Sequence, residues 1–393
     1  MEFILRQIHN AGSFSWLYLL SLFLGFHFFS VQFIHSSFLA TFLSKTGVSI
    51  LYTIAYALAL VVLTIVGLLL ARFGNYHTTL IATALDFVAV LCLAGSTNVT
   101  ILMVSFMAHT ILVPVILFTL DVFFGNNNQD KENTGNARGI FLSVATGAAL
   151  LSPVLAGILI GETTRYERVY LASALFLLPF VGILIIHFRS FVDPLYNTFS
   201  PWSTLRTVFR NTDLRRIITA QFLMRFYFAW MTIYLPLYLH EEIGFSWLQI
   251  GTILFVMLVP YVFVEWPAGI IADKLLGEKE LLIAGLLLTA IPTGALLFLT
   301  TPNLILWGAI LFITRIGTAL IESMTEIYFF KKIDGDDTDM ITFFRILRPL
   351  AYTIAPLTAT LILLVTNIRH LWLALACIML AGVYPILRLT DTK

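Results

Sequence analysis

Apolar residues in this chain come in long runs separated by short polar stretches, and each run is about one bilayer crossing long. A spanning helix needs roughly 20 mostly apolar residues. Twelve windows meet that length: 16–39, 48–71, 76–95, 99–124, 139–160 and 168–188, then 217–239, 247–271, 280–300, 303–330, 341–366 and 369–388. The ten-residue alternation of a membrane β-barrel is absent from this pattern. The first run, Trp16 to Leu39, is long enough to stay as a span and lacks a cleavable-signal pattern. The expected fold is all-α, with twelve transmembrane helices.

Composition narrows the class further. Of 393 residues, 59% are hydrophobic and 11% charged, where soluble domains carry about 25% charged residues. A soluble enzyme, a nucleic-acid binder and a disordered scaffold are excluded on that ground. The net charge of +1 implies no polyanionic partner. Cys92 and Cys377, the two cysteines, both lie inside apolar runs and read as small packing residues. Basic residues set the orientation: only Lys45, Arg165, Arg168 and Arg369 fall on one side, Arg225 and Arg315 fall within spans, and the rest lie opposite. The positive-inside rule then places both termini in the cytoplasm, in a multi-pass protein of the plasma membrane.

The chain divides into two halves, 1–188 and 217–393, joined by a polar stretch at 189–216. Within that stretch, Ser200-Pro201 reads as a helix start, and Trp202, Leu205 and Phe209 share a face. A short helix on the membrane surface is expected, with a disordered linker as the alternative. The halves repeat one another at an offset of about 200 residues. Gly47-Val48-Ser49 precedes the second span as Gly244-Phe245-Ser246 precedes the eighth. Gly67, Arg72 and Gly74 align with Gly269, Lys274 and Gly277; Asp121 aligns with Glu326, and Pro153 with Pro356.

The stretch from Gly269 through Ala272-Asp273-Lys274 to Gly277-Glu278-Lys279 resembles the signature loop of the major facilitator superfamily of secondary transporters, and the resemblance covers essentially the whole chain. It implies two six-helix bundles around a central cavity, with this loop latching the cytoplasmic side. In physical terms, Gly269 permits close helix approach, Gly277 makes the turn, and Asp273 can accept from a neighbouring helix N-terminus or arginine. Arg345 or Arg348 is the expected partner of Asp273 or Glu326, and Arg138 that of Asp121. Each of these groups could equally be a solvated charge at a helix end. The first-half copy has Ala71 at the acidic position, so gating is expected to be asymmetric. Gly147, Pro153 and Gly157 in the fifth span resemble a degenerate antiporter motif, or else mark generic tight packing.

Charged groups at mid-bilayer cost about 2.5–3.5 kcal/mol, which makes each a functional candidate. Arg315, Glu322 and Glu326 line one stripe of the tenth span. Glu322 is expected to bind the coupled proton or a cationic substrate, with Arg315 setting its affinity; the alternative is a permanent structural ion pair. Gln221, Arg225 and Trp230 of the seventh span suit an amphiphilic substrate. Arg225 either binds an anionic group or snorkels toward the cytoplasm. Asp86, His109, His27 and Gln32 complete the candidate cavity. No histidine pair has the tight sequence spacing of a metal site, so no metal is expected.

The expectation is a secondary transporter with no covalent chemistry, exposing a mid-membrane site to each side in turn. It is expected to work as a monomer in the lipid bilayer, without a cofactor and with H+ as the coupling ion. Proton-coupled export of an amphiphilic organic compound leads. Proton-coupled uptake of a sugar or organic acid is the alternative, as is a sensor or scaffold that keeps the transporter fold without transporting.

Overall fold

In the computed structural model, residues 2–126, 134–163, 165–196, 201–274, 276–333 and 338–390 are described. Seven helices make up the first half: α1 (Glu2–Gln32), α2 (His35–Ala40), α3 (Lys45–Phe73), α4 (Asn75–Gly95), α5 (Val99–Asn126), α6 (Thr134–Ile160) and α7 (Glu167–His187). The connecting stretch holds α8 (Pro201–Arg210). The second half comprises α9 (Thr212–Glu241), α10 (Trp247–Leu258), α11 (Pro260–Phe263), α12 (Glu265–Lys274), α13 (Glu278–Ala295), α14 (Leu304–Lys332), α15 (Thr338–Leu363), α16 (His370–Ala381) and α17 (Val383–Leu387). Among the described residues, eleven segments are long and apolar enough to cross a membrane, and Trp247–Phe263 is a shorter apolar one. Every apolar window of the sequence thus has its helical counterpart, and no strand occurs among the described residues.

The first and twelfth windows are each two helices, and the eighth is three. Pro260 has no N–H to give the Val256 carbonyl, which is met at 3.3 Å by Val259 instead, and the chain restarts with proline at the first helical position. Local chemistry fixes other helix starts. Asn211 caps α9 by accepting from Asp213 and Leu214, and Ser246 forms a reciprocal capping box with Gln249 at α10. Gly244, at φ 85°, makes the turn before that box. Its first-half counterpart, Gly47, lies inside α3, so the repeat is imperfect there. In α8, Thr204 and Val208 are buried while Trp202 and Phe209 are exposed, giving the amphipathic short helix that the spacing predicts. Ser200 lies outside the described residues.

The chain forms two compact units, Met1–His35 with Leu58–Thr198, and Ser36–Ala57 with Phe199–Lys393. In the first, α1 packs on α6 and α7, and α4 on α5 and α7. Leu17, Leu20, Ile116, Leu120, Phe123, Phe180 and Leu184 fill the core between them. Gly25 lets α1 approach α6 closely, since a Cβ there would stand 2.8 Å from Ala148 Cβ. The N-terminal part of α3 belongs to the second unit, where Lys45 bridges to Glu241 and Glu242 at 3.1 Å each and Ser49 bonds Tyr234 at 2.6 Å.

In the second unit, α13 and α14 interlock through two glycines. A Cβ on Gly285 would sit 2.8 Å from the Gly317 carbonyl, and one on Gly317 would sit 2.6 Å from the Gly285 carbonyl. Small residues at this crossing let the backbones touch, and the contact fixes α14, which carries Arg315 and Glu322. Across both units, large apolar side chains such as Val61, Ile158, Leu175 and Leu361 remain exposed, as a lipid-facing surface requires.

Candidate functional site

Arg225 stands at the middle of α9, and Glu322 just past the middle of α14. Their side chains meet at 2.9 Å and are each about one-fifth exposed, at 19% and 20%. Thr325 returns its one hydroxyl proton to the Ile321 carbonyl at 2.7 Å. The Gln221 atom 2.8 Å from that hydroxyl is therefore the amide nitrogen, which leaves the amide oxygen to accept from Arg225 at 3.1 and 3.3 Å. Gln221, Arg225, Glu322 and Thr325 thus form one polar network between two membrane helices.

The sequence stripe pairs Glu322 with Arg315, whereas the structure gives the carboxylate to Arg225. Seven residues along a helix separate two side chains by about 10.5 Å of rise, so a residue on a facing helix comes closer. Arg315 is 2% exposed, and among the described residues no carboxylate lies within 4 Å of it. Its guanidinium lies 4.8 Å from the Phe228 ring centroid and 5.7 Å from that of Tyr227, and its Nε has no acceptor. The Phe228 ring also lies 6.0 Å from the Arg225 guanidinium. Trp230 is wholly buried, donating to the Ala355 carbonyl at 2.6 Å, and so fastens α15 to α9. Glu326 is exposed at the far end of the same stripe.

A second cluster forms in the first unit, where α1, α4, α5 and α7 converge. Asp86 is fully buried and lies between two imidazoles, His27 Nε2 at 2.8 Å from Oδ2 and His109 Nδ1 at 2.8 Å from Oδ1. His27 Nδ1 faces Ser173, 3.1 Å from its carbonyl and 2.8 Å from its hydroxyl. His35 Nδ1 bonds the Tyr170 hydroxyl at 2.9 Å. Gln32 is half-buried near the end of α1, and its Oε1 has no partner. Sequence spacing offers no metal site, yet His27, Asp86 and His109 present ligand atoms within 4.8 Å of one another. Spacing along the chain misses this because each ligand comes from a different helix.

The side chains of Asp273, Lys274 and Arg138 lie outside the described residues. Asp121 is half-buried and Arg345 exposed, while the Arg348 guanidinium stands 5.8 Å from the Tyr352 ring centroid. Gly269 is half-buried, with Ile327 in ordinary contact at 3.7 Å. Gly277 precedes α13 at φ −126°, ordinary extended backbone, so the turn there does not demand glycine through its φ. Glu278, next in the loop, is buried and pairs with Lys331 at 2.7 Å. In the first half, Gly67 is half-buried within α3, and Arg72 is exposed with its guanidinium 5.4 Å from the Phe73 ring centroid.

Gly74 has φ 76° and ψ 161°, a region almost confined to glycine, and a Cβ on it would meet Asp193 at 2.6 Å. Asp193 accepts from the Asn75 N–H at 2.7 Å and from Tyr196 at 2.5 Å, placing a carboxylate at the N-terminus of α4. Sequence reasoning missed Asp193, which belongs to no motif and sits beyond α7. Burial and the neighbouring Asp193 carboxylate push the Tyr196 phenol up from its usual range. In α6, Pro153 and Gly157 are buried, whereas a Cβ on Gly147 would meet nothing within 4 Å. The close approach in that helix falls one residue later, at Ala148.

Eleven membrane-length helices among the described residues, with an ion pair and a buried arginine at mid-span in the second unit, make this a polytopic membrane protein. The chain belongs to the Major Facilitator Superfamily, which it matches over residues 17–333. No curated protein matches it in sequence. Solved structures share its fold at low identity. The POT family transporter PepTSo is similar at a TM-score of 0.77 and 10% identity, covering 96% of this chain and 97% of that one. The nucleoside transporter NupG gives 0.75 and 11%, covering 95% and 99%. A bacterial homologue of the human lysosomal transporter Spinster, inward-facing and unoccupied, gives 0.69 and 11%, covering 96% and 94%.

Proposed function

We propose that this transporter exports an amphiphilic organic compound bearing an anionic group in exchange for protons. The observation that carries the reading is the charge balance of the second unit. Glu322 neutralises Arg225, while Arg315 is buried against Phe228 and Tyr227 with no carboxylate among the described residues. A guanidinium out of water is costly unless it gains an anion, and its planar fork suits a carboxylate or phosphate. The aromatic rings beside it suit the apolar part of the same molecule.

Glu322 carries the coupled proton in this reading. It sits mid-span and is partly exposed, and its carboxylate balances Arg225, so gain and loss of its proton would switch the charge of the site between the two halves of the transport cycle. The excess of basic residues on one set of loops supports cytoplasmic termini and a plasma-membrane location. Export rests on the Pro153 and Gly157 pattern of α6, and uptake of an organic acid is the reading that measured flux in the opposite direction would put in its place. The monomer is the working unit.

A thermal-shift panel of amphiphilic carboxylates, phosphates, quaternary amines and sugars on the purified protein tests the substrate class. Carboxylates or phosphates are expected to stabilise the wild type, with at least ten-fold weaker binding in Arg315→Met. Stabilisation by the amines alone, or anion binding unchanged in Arg315→Met, would refute it.

A further inference from the structure

We propose that the first unit binds one divalent transition-metal ion on His27, Asp86 and His109. This goes beyond the transport reading and does not depend on it. The three residues come from α1, α4 and α5, offer ligand atoms within 4.8 Å of one another, and are 0%, 0% and 2% exposed. The two nitrogen–oxygen separations of 2.8 Å are close to the ~3.3 Å edge of a tetrahedron with bonds of about 2.0 Å, and the longest separation of 4.8 Å closes to that edge if the two imidazoles turn toward each other. Imidazole with a single carboxylate favours zinc, cobalt or nickel over calcium or magnesium, which take mostly oxygen.

The surroundings are those of ligating histidines. A metal-bound imidazole commonly donates its other N–H to a protein oxygen, which fixes the ring and turns the lone pair inward. His27 Nδ1 has that partner in the Ser173 hydroxyl at 2.8 Å, which accepts from it while donating to the His27 carbonyl at 2.9 Å, with the Ser173 carbonyl also at 3.1 Å, leaving Nε2 toward Asp86. His35 has it in the Tyr170 hydroxyl at 2.9 Å, and its ring stands 5.1 Å from that of His109.

Hydrogen bonding by itself leaves the cluster incomplete. An ionised Asp86 only accepts, so both His27 Nε2 and His109 Nδ1 would have to carry protons. His35 Nε2 would still be buried with no partner, which native interiors seldom tolerate. One divalent ion replaces the two protons facing Asp86, and His35 supplies a further imidazole nitrogen beside the site.

The test uses the full-length protein, freed of any polyhistidine tag and titrated with cobalt(II) and then zinc(II). Wild type should take up one ion per chain, with the visible absorption of four-coordinate cobalt, and zinc should displace it. His27→Ala and His109→Ala should lose at least 100-fold in affinity, and Ser173→Ala about 10–100-fold through the ring it orients. Glu322→Gln, outside the cluster, should bind as wild type does. No stoichiometric uptake by wild type would overturn the proposal, as would zinc affinity unchanged in His109→Ala. Should His27→Ala or His109→Ala fail to fold, Ser173→Ala and His109→Gln decide, and wild-type affinity in both overturns it.

Discussion

Arg225 and Glu322 meet at 2.9 Å near the middle of two membrane helices, and Gln221 accepts from the same guanidinium. Removing one partner strands the other charge at mid-span, whereas removing both does not. Arg225→Met should therefore destabilise the protein by on the order of 1–3 kcal/mol, less than for a fully buried pair because both groups are about one-fifth exposed. The double variant Arg225→Met with Glu322→Met should recover part of that loss. Thermal unfolding of the single and double variants checks this, and additive losses would show that the two residues are not coupled.

Gly74 and Gly147 look alike in the sequence but differ in the fold. Gly74→Ala forces a side chain into a glycine-only conformation and against Asp193, which should cost about 1–3 kcal/mol. Gly147→Ala meets open space within a helix and should be neutral or slightly stabilising. Paired melting curves read the difference, and equal midpoints would contradict it.

The crossing of α13 and α14 tolerates no added methyl. Gly317→Ala brings a Cβ against Thr289 and the Gly285 carbonyl, so the helices must part or tilt. A loss of about 1–3 kcal/mol is expected from such overpacking. Weakened ligand binding should accompany it, since α14 carries Arg315 and Glu322. A variant as stable as wild type, with full binding, would show that the contact is not required.

Asp193 holds the Tyr196 phenol in its neutral form, together with burial. Because the folded value is raised, the stability gained is complete below the ordinary phenol value of 10.0 and is lost as pH rises above it. Asp193→Asn should bring the Tyr196 ionisation back toward that value, read by ultraviolet titration against Tyr196→Phe. An unmoved ionisation would mean that burial alone raises it.

Much of this fold is legible in the sequence because bilayer crossing imposes one length and one polarity on every span. The windows found by that rule match helical segments, with breaks inside the first, eighth and twelfth, the eighth the most divided. In the eighth, Pro260 breaks the helix while hydropathy averaged over the window conceals it. The site is less legible. Periodicity places Arg315 and Glu322 on one face, but it says nothing about which helix comes opposite. The partners Arg225 and Gln221, the convergence of His27 and His109 on Asp86, and the capping role of Asp193 all depend on that missing information. Gly74 was visible only as a member of a repeat; its φ and its contact with Asp193 supply the physical reason for glycine there.

The central claim is that Glu322 couples proton movement to the flux of an organic anion. Sealed proteoliposomes containing a pH-sensitive dye, challenged with amphiphilic carboxylates, test it most directly with wild type and Glu322→Gln side by side. The account predicts carboxylate-evoked proton movement in the wild type. It predicts loss of that movement in the variant, which still folds and still exchanges substrate across the membrane. Proton movement that persists in a folded Glu322→Gln protein, or substrate flux in the wild type with no proton movement, would contradict it.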